Sequence, residues 1–179
     1  MSTFARRMIG AALLDTRVYE EVEADRRGNG QAVVVVLLAS LAAGIGLWEV
    51  GAQAQDPQAL ASRVIGALVG WMAWAAQTYL VGTRLLPEPQ TNADLGELLR
   101  TIAFAASPGL LRVFGVLPLV GWPIYATTSV WMLVTMIVAV RQALDYRSTY
   151  RAVMVCAVGW VLSIAIAAVI GNLFVRNVS

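Results

Sequence analysis

Residues 101–140 read TIAFAASPGLLRVFGVLPLVGWPIYATTSVWMLVTMIVAV, a stretch in which Arg112 carries the only charge. A bilayer core about 30 Å thick is crossed by about 20 apolar residues in a helix, so this stretch is too long for one crossing and long enough for two. Its segment LPLVGWP at 117–123 contains two prolines and a glycine, which interrupt a helix and favour a reversal of the chain. The stretch therefore predicts two membrane spans joined by a tight turn.

Three further charge-free runs have spanning length, at 28–48, 64–83 and 152–175. The composition agrees, because 59% of the residues are hydrophobic and 13% are charged, whereas soluble domains carry about 25% charged residues. We predict an all-α, polytopic integral membrane protein with five transmembrane helices and a short N-terminal amphipathic helix. A cytoplasmic amphipathic tail at 1–30 would precede a transmembrane domain at 31–179, with spans at about 31–51, 62–84, 99–118, 122–141 and 152–174.

The distribution of arginine, which supplies all of the basic charge, predicts the orientation. Five spans put the N-terminal tail and the loops at 83–100 and 141–151 on one side of the membrane, with ten arginines. The other side receives Arg63, Arg112 and Arg176. Because basic residues are enriched in cytoplasmic segments, we expect a protein of the cell (inner or plasma) membrane with its N-terminus in the cytoplasm and its C-terminus outside.

The N-terminal tail carries one apolar helical stripe with a mean spacing of 3.6 residues, formed by Phe4, Met8, Ala11, Leu14, Val18 and Val22. Asp15 would interrupt this stripe, so we expect a break there, with Asp15 as the N-cap of a second short helix. Two interpretations stay open. The tail either lies in the membrane interface with Arg6 and Arg7 near anionic lipid, or folds onto the cytoplasmic ends of the spans.

Four residues are candidates for an intramembrane polar site or break: Gln77, Pro108, Arg112 and Glu49. Pro108 interrupts the third span, and the carbonyls that it frees could line a transporter-like site with Gln77. A kink whose carbonyls are satisfied by neighbouring helices is the simpler interpretation. Arg112 either extends to the outer interface or pairs with Glu49 at the end of the first span.

Two local patterns predict how helices begin and pack. Gly66 and Gly70 lie one helical turn apart, a spacing that lets two helices approach closely. We expect packing within the bundle there, with homodimerisation as the alternative. Thr91 and Asp94 resemble a capping box, from which a helix would start near residue 93 and continue into the third span.

The residue inventory excludes several kinds of catalytic site. The sequence has no histidine and one cysteine, Cys156, which excludes imidazole chemistry and multi-cysteine metal clusters. The predicted spans contain no aspartate, and no glycine-rich phosphate-binding fingerprint is present. We therefore expect no enzymatic activity, no cofactor, no metal and no nucleic-acid partner.

Several short strings carry a family resemblance: LP at 86–87, ADLGELLR at 93–100, FA at 104–105, PG at 108–109, AVRQALDY at 139–146, ST at 148–149 and RA at 151–152. Together they resemble bacterial membrane proteins of the Yip family (Ypt-interacting proteins), over residues 4–165. The resemblance implies five spans, a cytosolic N-terminus and an outward C-terminus. Eukaryotic members of the family are adaptors that bind small Rab-type GTPases during vesicle formation, which the resemblance implies as one expectation. The tail at 1–30 lacks the long acidic N-terminal region of those members.

Three hypotheses for the function follow. The first is a non-enzymatic scaffold or adaptor whose cytoplasmic face binds a protein partner or lipid headgroups through Arg100, Arg141, Asp145 and Arg147. The second is a small transporter or lipid-handling protein built around the broken third helix. The third is an accessory subunit of a larger membrane complex. The expected partners are the lipid bilayer and, beyond it, another membrane protein or a second copy of the chain.

Overall fold

The computed structural model describes residues 3–46, 57–117 and 119–178, and all regular elements within these ranges are helical. In chain order they are α1 (Thr3–Ala12), α2 (Thr16–Ala24), a short 3₁₀ turn (Arg26–Gly28), α3 (Asn29–Gly46), α4 (Pro57–Leu80), a π-helical segment (Val81–Leu85), α5 (Leu95–Ala105), a 3₁₀ helix (Ser107–Val116), α6 (Gly121–Ala143) and α7 (Thr149–Val178).

Five helical segments of the described chain are long and apolar enough to cross a membrane: Arg26–Gly46, Val64–Leu85, Leu95–Val116, Gly121–Ala143 and Thr149–Ile166. The predicted all-α architecture with five transmembrane helices is therefore confirmed. Residues 117–120 separate the third and fourth segments and lie within the predicted turn at 117–123, and α6 begins at Gly121. Pro123 is tolerated in its first turn, where a backbone N–H has no helical partner to lose. Pro118 lies outside the described residues.

Successive spans run in opposite directions and bring several segments together at one end of the bundle. We call this end the N-terminal face and define it as α1, α2 and the loops at 86–94 and 144–148. Hydrogen bonds join α5 to the start of α3 (Arg100 to Asn29) and α6 to α2 (Gln142 to Glu20) at this face. The last residue of α3, Gly46, lies at the opposite end of the bundle, beside the 3₁₀ helix.

The third span is broken at Pro108, as the sequence predicts. Pro108 lies in the first turn of the 3₁₀ helix and has no N–H to donate. The carbonyl of Ala105 instead accepts a hydrogen bond from Thr135 Oγ1 of α6 (2.7 Å), and the carbonyl of Phe104 accepts one from Ser107 Oγ (2.7 Å). Neighbouring side chains therefore satisfy the carbonyls at the break, as expected for a kink.

The N-terminal tail forms a hairpin of two helices that folds onto the bundle. The predicted break is confirmed, because the Asp15 carboxylate accepts a hydrogen bond from the Arg17 N–H and caps α2. Tyr19 is fully buried, and Trp131 Nε1 of α6 donates to the Ala12 carbonyl (2.7 Å). Phe4 makes an edge-to-face contact with Phe104. Of the two interpretations of the tail, the geometry favours packing onto the spans.

The start of α5 uses a different capping box from the one predicted. Asp94 is the N-cap and accepts from the Glu97 N–H (3.0 Å), while the Glu97 carboxylate accepts from the Asp94 N–H (2.8 Å). Thr91 instead accepts from the Glu88 N–H within the preceding loop (2.8 Å). Glutamate reaches back across one helical turn more easily than aspartate, which favours the Asp94–Glu97 pair.

Gly46 permits the closest approach between α3 and the 3₁₀ helix. A Cβ atom built on Gly46 would lie 1.9 Å from the Arg112 carbonyl oxygen, which is backbone and cannot rotate away. Gly115 faces the same crossing, where a Cβ atom would lie 3.0 Å from the Gly46 carbonyl oxygen. The crossing therefore requires glycine at position 46 and leaves little room for a side chain at position 115.

We predict that Gly46→Ala lowers the free energy of unfolding by about 2 kcal/mol or more, because the methyl group overpacks this crossing. Gly30→Ala, on the same helix, is the matched control, since a Cβ there meets nothing within 4 Å; it should leave stability unchanged or raise it by up to about 1 kcal/mol. Thermal unfolding in detergent measures both. Equal unfolding temperatures for the two variants would contradict the prediction.

Candidate functional site

Arg100 ties α5 to the end of α2 and the start of α3. The residue is 3% exposed, and its guanidinium donates to the Val22 carbonyl (3.1 Å), the Glu23 carbonyl and Asn29 Oδ1 (3.1 Å). Both carbonyls belong to the last turn of α2, where they lack helical partners. A cation at this position interacts favourably with the negative end of the helix dipole. The sequence predicted that Arg100 contacts an external partner, and this is corrected: its donors are occupied inside the fold.

Arg7 makes a second internal clamp. It is 5% exposed and contacts Glu21 (2.9 Å), Asp25 (2.8 Å) and Gln31 (3.0 Å). Arg6 pairs with the same Glu21 carboxylate. Hydrogen bonds from Arg6 and Arg7 hold the pKa of Glu21 below its ordinary value, against a smaller opposing effect of burial. Arg7 is therefore bound to acidic side chains of the tail and is not presented to lipid headgroups.

Glu88 connects the two loops of the N-terminal face. Its carboxylate accepts from the backbone N–H groups of Arg147 (3.0 Å) and Ser148 (3.4 Å), and Arg151 lies 3.6 Å away. Desolvation works to raise the pKa of Glu88, but the N–H groups of Arg147 and Ser148, the Gln90 amide and the charge of Arg151 together hold it below its ordinary value. An ionised Glu88 thus fixes the 144–148 loop against the 86–94 loop.

Tyr146 adds a buried contact between the same loops. The residue is 4% exposed, and its hydroxyl oxygen lies 2.8 Å from the Gly82 carbonyl and 2.7 Å from the Leu86 carbonyl. Burial raises the pKa of Tyr146 to about 12, so the hydroxyl stays a donor at physiological pH. No role was predicted for Glu88 or Tyr146 from the sequence; the signals near them were the resemblance strings LP at 86–87, which precedes Glu88, and AVRQALDY at 139–146, which ends on Tyr146.

Asp145 lies in the left-handed turn that ends α6. Its φ is 55°, its N–H donates to the Gln142 carbonyl (2.9 Å), and the Tyr146 N–H donates to the Arg141 carbonyl (2.9 Å). This is the Schellman pattern, in which aspartate tolerates the left-handed conformation better than most residues. The turn leaves Arg141, Asp145 and Arg147 exposed together on the N-terminal face.

Acidic side chains from three elements gather beside this turn. Burial, followed by the charges of Asp145, Glu97 and Glu20, raises the pKa of Glu23 to about 7, while Arg100 opposes the rise. Glu20 is also held by Gln142 Nε2 (3.1 Å). The grouping joins residues that are far apart in the sequence, so no local pattern could have predicted it.

We predict that Glu23 makes the stability of the protein depend on pH. The pKa of Glu23 is raised on folding, so its favourable contribution is complete below about pH 4.5 and is lost as the pH rises through about 7. Glu23→Gln should unfold a few degrees higher than the unmodified protein at pH 8 and should flatten the profile between pH 5 and 8. Unfolding temperatures across this range test it; an equally steep fall in the variant would contradict it.

Gln77 lies apart from the break at Pro108. Its amide Nε2 donates to the Gly159 carbonyl of α7 and lies 3.4 Å from Ser163 Oγ. Gln77 thus bridges α4 and α7, whereas Gly109, next to Pro108, lies against Ala39 of α3 and Met132 of α6. The two residues do not line a common polar site in the described chain, so the transporter arrangement predicted from them is corrected.

Arg112 makes polar contacts to α6 alone among the described residues. Its Nη2 donates to Ser129 Oγ (2.9 Å), its Nε lies 3.3 Å from Thr128 Oγ1, and its guanidinium carbon lies 5.1 Å from the Tyr125 ring centre. No carboxylate in the described ranges pairs with it. Glu49, the partner predicted from the sequence, lies outside the described residues, so that pairing stays a prediction.

A cavity of about 530 Å³ lies between α3 and α4, and we call it the α3–α4 groove. Its lining is almost entirely apolar, with Arg112 as the one charged member: Val36, Ala39, Ser40, Ala43, Gly44, Ala67, Gly70, Trp71, Trp74, Ile102, Ala106, Gly109, Arg112, Met132 and Met136. The groove therefore reaches the broken third span but does not include Gln77.

Gly66 and Gly70 do not mark a contact between helices of the described chain. A Cβ atom on either residue would meet nothing within 4 Å. The sequence favoured packing within the bundle at this pair, but the described helices make no such contact there. Gly70 lines the α3–α4 groove, and Gly66 lies on the exposed side of α4 just outside it. Association with a second chain stays a prediction.

Comparison with known proteins identifies a family over most of the chain. Residues 13–170 match the family profile of the Yip1 domain. Neither the curated proteins nor the solved structures include a significant match to the chain. The match covers all five candidate spans, the hairpin from α2 onward and both loops of the N-terminal face.

Proposed function

The chain belongs to the Yip1 domain family, and we propose that it is a non-enzymatic membrane scaffold or adaptor whose N-terminal face binds a protein partner. One observation carries the proposal. Arg100, Glu88 and Tyr146 join the hairpin and both loops into a single preformed surface. Binding to such a surface costs less ordering entropy than binding to separate flexible loops.

The proposed orientation places the N-terminal face in the cytoplasm of the cell and the C-terminus outside its membrane. The tail and the segments at 83–100 and 141–151, which include the loops of this face, contain ten of the 13 arginines, and such an excess is typical of the cytoplasmic side. The hydrogen bonds between these segments support their location on one side of the bilayer. The partner is then a cytoplasmic protein or the cytoplasmic part of another membrane protein.

The charge of the face favours a protein partner over lipid headgroups. Arg7 and Arg100 are buried and bound internally, so they offer no surface charge to a phosphate. Asp145 and Glu20 are exposed next to the exposed guanidinium groups of Arg141 and Arg147. Such a mixture has little net attraction to a uniformly anionic headgroup layer and is suited to a protein segment that offers both signs of charge.

We predict that the double variant Glu20→Gln with Asp145→Asn loses its partner. Both changes remove charge and conserve shape, because glutamine can still contact Gln142 and asparagine also tolerates the left-handed turn. Cross-linking in cells followed by affinity purification and mass spectrometry should recover the partner with roughly tenfold lower yield.

Asp15→Asn is the matched control for this experiment. It removes one negative charge at the tip of the hairpin and keeps the N-cap, since asparagine caps helices as well as aspartate does. Its partner recovery should equal that of the unmodified protein. A double variant that recovers the same proteins in the same amounts would refute the proposed binding face.

A second candidate, an accessory subunit of a larger complex, is favoured by the unoccupied surface at Gly66. A small residue with no neighbour on an exposed span permits close approach of another transmembrane helix. We predict that Gly66→Leu lowers, by about tenfold, the fraction of dimer or of complex detected by cross-linking in membranes. Unchanged cross-linking would exclude α4 as the contact.

A further inference from the structure

The α3–α4 groove has the polarity of a site for an amphiphile. At its end away from the N-terminal face lie Gly44 and Arg112, level with the last turn of α3. At its other end lie Trp71, which is held by the Leu99 carbonyl (3.0 Å), and Trp74. One end therefore offers a cation and the remainder offers apolar side chains.

Its dimensions suit a lipid chain. The α3 wall runs from Val36 to Gly44, about 12 Å along the helix axis. The volume of about 530 Å³ falls within the range of roughly 300–1,000 Å³ of small-molecule sites. The opening lies between two spans at a place where Gly70 of α4 is exposed, so in a bilayer it faces lipid.

Arg112 has donors left over for an anion. A guanidinium carries five N–H donors, of which contacts to Thr128 and Ser129 use two. No described carboxylate balances its charge within a candidate span. Phosphate oxygens accept from arginine in a two-pronged geometry that is stronger than a neutral hydrogen bond.

We propose that the α3–α4 groove binds one anionic phospholipid, with its phosphate on Arg112 and one acyl chain running past Gly70 towards Trp71 and Trp74. The leaflet is the one opposite the N-terminal face, because Arg112 lies at the far end of α3. A headgroup with net negative charge is preferred over a zwitterionic one, since an ammonium group next to the guanidinium would be repelled. The site is separate from the N-terminal face and goes beyond the proposed adaptor function.

The experiment compares phosphatidylglycerol with phosphatidylethanolamine. Full-length protein in detergent micelles is titrated with each lipid, and bound lipid is counted by native mass spectrometry. The unmodified protein should retain one phosphatidylglycerol molecule with about tenfold preference. Arg112→Gln should abolish the preference, and Arg112→Lys should keep part of it because the charge remains. Arg84 is an exposed arginine in the π-helical extension of α4, at the end away from Arg112. Arg84→Gln should keep the full preference for phosphatidylglycerol.

A second pair of variants tests the acyl-chain path. Gly70→Leu places a side chain in the groove, whereas Gly66→Leu places the same side chain one turn away, and neither meets a neighbour within 4 Å at its Cβ. Gly70→Leu should lose the retained lipid and the quenching of tryptophan fluorescence by phosphatidylglycerol with brominated chains. Gly66→Leu should keep both. The proposal is overturned if Gly70→Leu and Gly66→Leu retain the same amount of lipid. It is also overturned if the Arg112→Gln protein keeps the preference for phosphatidylglycerol and unfolds at the same temperature as the unmodified protein.

Discussion

The carbonyl of Ala105 is the point on which the rest of the bundle depends. Within hydrocarbon a backbone carbonyl without a partner costs several kcal/mol, so a span can be interrupted only where a nearby group supplies a donor. Thr135 Oγ1 supplies it from α6, and Thr135 itself is fully buried. The interruption at Pro108 is therefore tied to α6 at one depth, and the remainder of the third span continues as a 3₁₀ helix.

The 3₁₀ conformation then determines what the third span presents to its neighbours. With three residues per turn, side chains at every third position line up in one row. Gly109, Arg112 and Gly115 form such a row, whereas in an α-helix of the same sequence each would be offset by about 60° from the one before. The glycines let α3 cross closely at Gly46. The same row borders the α3–α4 groove, whose α3 wall consists mainly of small residues such as Ala39, Ala43 and Gly44.

The sequence predicted those features that depend on residues close together along the chain. Charge-free length predicts the spans, and Asp15 at a break in the apolar stripe predicts the N-cap. The capping box was misassigned to Thr91 because two aspartate-based pairings compete within a few residues, and only the geometry separates them. The role of Arg100 could not be predicted, since its partners in α2 lie more than seventy residues away. The same holds for the acidic group around Glu23.

Two of the ten arginines that predict the topology, Arg7 and Arg100, do not contribute charge to the folded surface. The positive-inside rule acts during insertion, when the chain has no tertiary contacts and every guanidinium counts alike. After folding, Arg7 and Arg100 are buried and bound to carboxylates or carbonyls, so they contribute to the position of the hairpin rather than to the surface potential. What remains exposed beside Asp145 is a mixture of both signs. A strongly biased sequence can thus fold into a face that is nearly balanced in charge, and its recognition chemistry has to be inferred from the residues that stay exposed.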